Sequence, residues 1–475
     1  MSVAPYVVEI ATACLMVVVL AVDVLLRTGT RLLWACYLAG TAVLLALAIL
    51  ARGDTSLLGG SYAADGLSWL ARIIIVVGAG LTGAVSIGSL GIREKYHGAY
   101  AALLLAASLG MMVLVSSREL ITLYIGLETS SVSLYGLAAI SKRDDRSLEA
   151  GIKYLVIGAL SSGLLLYGLS LVWVATGTTS LDAIRAAVAA RGPDTLLTAG
   201  VLLVLVGVGF KLSMVPLHVW TPDVYQGAPT AVAAFISVVS KSAGFVFAIR
   251  LLSFAFADLR SVWEPFMAAA AVLSMTVGNL IAIPQKSVKR LLAYSTISQA
   301  GYILVGFLGS PAAGTSAVMF YLAVYTLTNV AAFTVVIAFS SATGSDLLED
   351  YAGLARREPV LALAFAFALL SLAGIPPLGG FIGKFYLFSA AMQRGYLWLV
   401  IVAALNSVLS LYYYLLVLRR MYISEPAASS ARMTIALPVR VVLLVTTVGI
   451  FWLGIIPGSV MKVIADVSAS IFPGG

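Results

Sequence analysis

Runs of about twenty apolar residues, each long enough to cross roughly 30 Å of hydrocarbon as a helix, recur along the whole chain. Short polar stretches separate them. The pattern predicts fourteen spans, at residues 5–26, 32–51, 66–90, 97–116, 119–140, 149–175, 194–219, 229–256, 261–283, 287–308, 313–340, 359–392, 395–418 and 435–457. The seventh span is interrupted at Pro216. The twelfth is too long for one simple crossing, and the stretch GIPPLGGFIGKFYLF at 374–388 breaks it with Pro376, Pro377 and a cluster of glycines. The expected fold is an all-α polytopic membrane protein.

Two interrupted spans at matching places point to inverted repeats around a midplane pathway. The twelfth span lies five after the seventh, so spans 4–8 and 9–13 form two five-helix units, and an odd count inverts the second. This divides the chain into N-terminal helices 1–3 (residues 1–96), a first repeat (97–256), a second repeat (257–423) and a C-terminal helix 14 (424–475). The longest polar stretches, near 176–193 and 341–358, read as connectors.

Composition supports a membrane solvent. Of 475 residues, 61% are hydrophobic and only 11% charged, against about 25% charged in soluble domains. The net charge of +8 does not mark a nucleic-acid binder, because the basic residues are dispersed in short loops. One alternate set of loops holds Arg27, Arg31, Arg93, Lys95, Lys142, Arg143, Arg146, Lys286, Lys289, Arg290, Arg356, Arg357, Arg419 and Arg420. The other set is poorer in charge. The positive-inside bias puts the richer set in the cytoplasm and both termini outside. Cys14 and Cys36 both fall in apolar runs, which argues against a disulfide framework or a metal site. The first run has no basic leader region and reads as a retained helix.

A few ionisable residues sit inside the spans: Glu128, Lys211, Lys241 and Lys384. Each costs roughly 2.5–3.5 kcal/mol at mid-membrane on insertion scales and marks a functional site by default. A single structural Lys–Glu bridge is the plainer alternative. Three lysines against one carboxylate weaken it, since Glu128 cannot neutralise them all. Burial disfavours the charged form of a lysine, which suits proton exchange. Hydroxyls surround these groups, Thr129, Ser130, Ser131 and Ser133 after Glu128, and Ser237, Ser240 and Ser242 around Lys241. They fit either held water or close helix packing. His218, seven residues after Lys211 with Pro216 between, fits either a proton relay or a cap on the break. Lys153 follows Glu149 by four residues, the spacing of a local helix pair, with proton entry as the other role. Glu9, Asp23 and Arg72 also lie near membrane depth, without neighbours that give them a task.

The strings ETSSVSLYGLAA, KLSMVPLHVWTPDVYQGAPT, SVVSKSAG, SVKRLLAYSTISQAGYILVG and AGIPPLGGFIGKF resemble the antiporter-like, proton-pumping subunits of respiratory complex I over essentially the whole chain. The superfamily also contains multi-subunit sodium/proton antiporter and membrane-bound hydrogenase subunits. Within it the chain is most similar to the subunit N group of NADH-quinone oxidoreductase. Lys384 stands where subunit M typically has a glutamate, and the long lateral-helix extension of subunit L is missing. The resemblance implies that Glu128 and Lys211 form a charge pair at an inner half-channel, that Lys241 is the central connector, and that Lys384 leads to an outer half-channel. It implies no cofactor in this chain, with NADH, FMN, iron–sulfur clusters and quinone on partner subunits. It implies other membrane-arm subunits as neighbours and a bacterial plasma membrane as location. GAGLTG at 78–83 matches a dinucleotide-binding pattern, but it lies inside an apolar span with no strand before it and reads as helix packing. The rival functions are a cation/proton antiporter subunit, a ferredoxin- or hydrogenase-linked relative, and a structural subunit with a dead channel.

Overall fold

The computed structural model describes residues 4, 6–26, 30–53, 55–89, 91–92, 94–425, 433 and 435–472. Of the basic loop residues named above, Arg27 and Arg93 lie outside them. The chain opens with α1 (Val7–Leu26), α2 (Thr30–Leu50) and α3 (Gly66–Ser86), with a small antiparallel hairpin, β1 (Thr55–Leu57) and β2 (Tyr62–Ala64), between the last two. Asp65 caps α3 by accepting from the Ser68 amide.

The first unit contains α4 (His97–Ser116), α5 (Leu120–Ala138), α6 (Asp145–Thr176), α7 (Leu181–Arg191), α8 (Thr195–Leu212), α9 (Trp220–Gly227) and α10 (Thr230–Ala255). The second contains α11 (Arg260–Ala282), α12 (Val288–Phe307), α13 (Pro311–Thr343), α14 (Pro359–Ala373), α15 (Gly379–Gln393) and α16 (Leu397–Tyr422). Helices α17 (Leu437–Ile455) and α18 (Gly458–Ile471) follow.

Among the described residues, eleven helices are long and apolar enough to cross a membrane on length and composition. The more polar α5 and α12, and the broken α14–α15 pair, complete the fourteen spans. The connector at 176–193 holds α7, and α18 packs against α3 and α13; neither helix stood out in the sequence.

The two units share detail that the sequence conceals. Each has a long third helix, 32 residues in α6 and 33 in α13, ended by a left-handed glycine, Gly177 or Gly344. Three residues later each makes an isolated bridge to the N-cap of the unit's second helix, Ser180 to Glu119 and Leu347 to Ser287. Each then has a broken span, α8–α9 or α14–α15. Every residue from 231 to 253 in α10 is buried, whereas α1, α2, α6 and α16 keep broad apolar faces outward, as expected where the solvent is hydrocarbon. Within GAGLTG, Gly78 packs on Val239 and Gly83 on the Tyr37 ring, with no room for a Cβ at either. That pattern serves close helix approach, as the sequence suggested.

Candidate functional site

The breaks explain where the lysines find partners. A helix carbonyl normally accepts from the amide four residues on. Four residues after Leu372 and Ala373 stand Pro376 and Pro377, which have no N–H. Both carbonyls are therefore open, and a buried open carbonyl needs another donor. The Ala373 carbonyl accepts from Lys384 Nζ at 3.0 Å and from Ser407 Oγ at 3.1 Å. The Leu372 carbonyl accepts from Gln299 Nε2 at 2.9 Å. Lys384 also donates to Ser407 Oγ at 2.9 Å and lies 4.2 Å from the Tyr302 ring centroid. Gly374, at φ 89°, packs directly against its side chain.

The seventh span follows the same logic. Helix α8 stops at Leu212, and Ser213 turns left-handed at φ 57°. Pro216 cannot donate to Leu212. Val215, four after Lys211, sends its amide instead to Ser274 Oγ at 3.0 Å. The Lys211 carbonyl is left open, and Lys241 Nζ donates to it at 3.4 Å. Lys241 also donates to Ser213 Oγ, which accepts from Thr221 Oγ1 at 2.6 Å. Its ammonium lies 5.2 Å from the Trp220 ring centroid. Trp220 stacks on Tyr154 at 4.4 Å, closing this side with aromatic surface. A π-helical turn over Ile236–Ser240 directly precedes Lys241.

Lys211 Nζ donates to Ser130 Oγ at 3.1 Å and Ser131 Oγ at 3.3 Å. Both hydroxyls donate onward to the Leu127 carbonyl, so they present lone pairs to the ammonium. Glu128 is half-buried and accepts from Ser162 Oγ. Among the described residues Glu128 forms no direct ion pair with Lys211; serines stand between them. A cavity of about 10 Å³, close to the volume one water needs, is lined by Ser131, Ser161, Ser162 and Lys211. The three lysines are 3% (Lys211), 2% (Lys241) and 4% (Lys384) exposed. None has a carboxylate within ion-pairing distance among the described residues, which makes a plain structural salt bridge untenable for them.

Comparison with known proteins gives the family. Residues 117–410 match the family model described as NADH:quinone oxidoreductase/Mrp antiporter, TM. NADH-quinone oxidoreductase subunit N of Moorella thermoacetica is 48% identical over 386 residues, covering 81% of each chain. The chain belongs to this family of membrane subunits. A solved chain of respiratory complex I from Thermus thermophilus superposes with a TM-score of 0.83 at 33% identity, covering 96% of this chain and 99% of that one. A chain of the Mrp complex from Dietzia sp. shares the fold at 22% identity, with a TM-score of 0.88 and coverage of 100% and 98%.

Two further residues singled out in the sequence have contacts of their own. Lys153 is partly exposed and pairs with Glu149 at 2.7 Å and Asp223 at 2.8 Å. Asp223 also accepts from Arg290 at 3.0 Å, so the local pair is part of a tie between α6, α9 and α12. His218 lies in the break, half-buried and off any helical face shared with Lys211; its Nδ1 has no hydrogen-bond partner among the described residues. Glu9 and Arg72 form a buried pair at 2.7 Å, which Tyr62 and Ser116 extend.

The structure also reveals polar residues that sequence reading passed over. From Ser237, one turn before Lys241, Asn329 bridges to Tyr325 at 2.7 and 3.0 Å, and Tyr325 donates to Thr296 at 3.1 Å. One turn along α12, Gln299 accepts from Tyr321 at 2.5 Å and donates to Tyr414 at 3.3 Å. Asn279 accepts from Tyr413 and donates to Tyr302, both at 3.1 Å, and Tyr302 lies under Lys384. The available signal was the polar stripe Ser295, Gln299 and Tyr302 on α12, spaced for one helical face.

Proposed function

We propose that this chain is the proton-translocating membrane-arm subunit of an NADH:quinone oxidoreductase, and that Glu128, Lys211, Lys241 and Lys384 relay the protons. The carrying observation is that Lys241 and Lys384 each reach an open carbonyl at a helix break, with hydroxyls, amides and tyrosines between them. No bond chemistry occurs here. NADH, FMN, iron–sulfur clusters and quinone act on partner subunits, and a change transmitted from quinone reduction alters the serine-bridged contact between Glu128 and Lys211. A nearby carboxylate favours the protonated lysine and burial opposes it. Shifting Glu128 against Lys211 therefore changes proton occupancy, and the released proton passes toward Lys241 and on to Lys384. Lys153 and His218 stand outside this path, Lys153 as a tether.

We assign residues 97–256 and 257–423 to the inverted units, with 1–96 and 424–475 flanking them. The protein sits in a bacterial plasma membrane beside an antiporter-like neighbour and small membrane subunits, with both termini outward. The Mrp likeness supports the shared fold, but three buried ammonium groups repel a sodium ion and favour protons.

The test is NADH-driven proton uptake in inverted membrane vesicles carrying Lys384→Met, with sodium and without. Uptake that collapses in the variant and ignores sodium is the expected result. Uptake that requires sodium, or unchanged uptake in the assembled variant, contradicts the proposal.

A further inference from the structure

An apolar groove of about 360 Å³ runs between α14 and α17, away from the lysine axis. Val360, Leu363 and Phe367 line one wall, and Leu443 and Leu444 the other. It is open to the surroundings, since Val360, Leu363 and Leu444 are 70%, 49% and 65% exposed. From Val360 to Phe367 it follows α14 for about 10 Å, at 1.5 Å per residue.

One end of the groove is charged. Glu358 is the N-cap residue of α14, and Arg440 lies in the first turn of α17; both line the groove. Among the described residues neither forms an ion pair, with the other or with any third group. The same membrane face carries Arg356, Arg357, Arg419 and Arg420, held together where the Gly353 amide donates to the Arg420 carbonyl at 3.1 Å. An acid and a base lining one apolar slot match a ligand with the converse arrangement: an acyl chain, a phosphate and a cationic amine.

We propose that this groove is a binding site for a phospholipid with a primary-amine headgroup. One acyl chain lies between α14 and α17, Arg440 holds the phosphate through a charge-assisted contact, and Glu358 accepts from the ammonium. Phosphatidylethanolamine satisfies all three contacts. Phosphatidylcholine has the charge but no N–H to donate. Phosphatidylglycerol has the phosphate but no cation for Glu358.

The test delipidates the intact membrane complex containing the full chain. It is then exposed to vesicles of phosphatidylethanolamine, phosphatidylcholine or phosphatidylglycerol, and retained lipid is counted by native mass spectrometry. The wild type is expected to retain one more phosphatidylethanolamine than either competitor, with a preference of about tenfold, the scale of one charge-assisted contact. E358Q removes the preference, R440Q weakens retention of all three lipids, and L363W, at an exposed position, fills the groove and releases the lipid. Equal retention of all lipids by the wild type and the three variants overturns the proposal and leaves only unselected boundary lipid. A high-yield cross-link from a cysteine placed by Leu444→Cys to another subunit also overturns it, because protein would then cover the groove.

Discussion

Lys384 donates to the carbonyl oxygen of Ala373 at 3.0 Å, and Ala373 lies four residues before Pro377. Proline and lysine therefore act together. The proline removes the amide that would have closed the helix bond, and the lysine takes the acceptor that this leaves. In the other unit the Val215 amide is diverted to Ser274, and Lys241 takes the Lys211 carbonyl. Each break thus lowers the cost of holding an ammonium at membrane depth, without a carboxylate that would fix its charge.

Ser213 separates hydroxyl chemistry from backbone geometry. Its φ of 57° is one a glycine adopts without cost, so Ser213→Gly relieves the turn while removing the hydroxyl between Lys241 and Thr221. We expect thermal stability of the complex to hold or fall by about 1–2 kcal/mol, because the relieved turn offsets only part of the cost of leaving the Lys241 and Thr221 donors without their acceptor, with proton uptake reduced. Unchanged uptake would remove Ser213 from the path.

Gly374 tests the contact with Lys384. Gly374→Ala places a Cβ at φ 89°, about 3.0 Å from Lys384 Cδ; Gly177→Ala meets similar backbone strain at φ 70° with open space around it. Both should cost about 1 kcal/mol in stability. Only the Gly374 variant should slow proton uptake. Equal transport in the two variants would mean that the position of Lys384 does not matter.

Asp65 gives a pH dependence outside the spans. Burial opposes its ionisation, but Arg250 at 2.8 Å, the Ser68 amide and Arg118 outweigh that and hold its carboxyl down to about 2. A folded value below the unfolded one stabilises the protein fully above about pH 4, and the contribution is lost as pH falls toward 2. The loss amounts to about 2–3 kcal/mol. Thermal melts of detergent-solubilised complex between pH 6 and pH 3 should show Asp65→Asn less stable at pH 6 and the gap closing on acidification. A gap independent of pH would place its cause elsewhere.

Much of this fold is legible because span length, proline and charge follow from the solvent. The spans, both breaks and the unusual lysines appear as interruptions of an apolar pattern. The relation between Glu128 and Lys211 was less legible. A sequence reports which charges are buried, but not that Ser130, Ser131 and Ser162 intervene between them. Asn329, Gln299 and the tyrosines of α13 and α16 escaped for a similar reason. Uncharged polar residues are common in packed membrane helices, and only tertiary contact joins them into a network. The repeated bridges Glu119–Ser180 and Ser287–Leu347 are backbone features with no shared side chains to reveal them.

The most direct measurement is NADH-driven proton uptake by inverted vesicles carrying Lys211→Ala, with NADH oxidation and complex assembly followed in parallel. Positioned proton-transfer groups contribute about a hundredfold or more. The relay account therefore predicts an assembled complex whose uptake falls to a small fraction of wild type. Wild-type uptake per NADH oxidised in that assembled variant would contradict it.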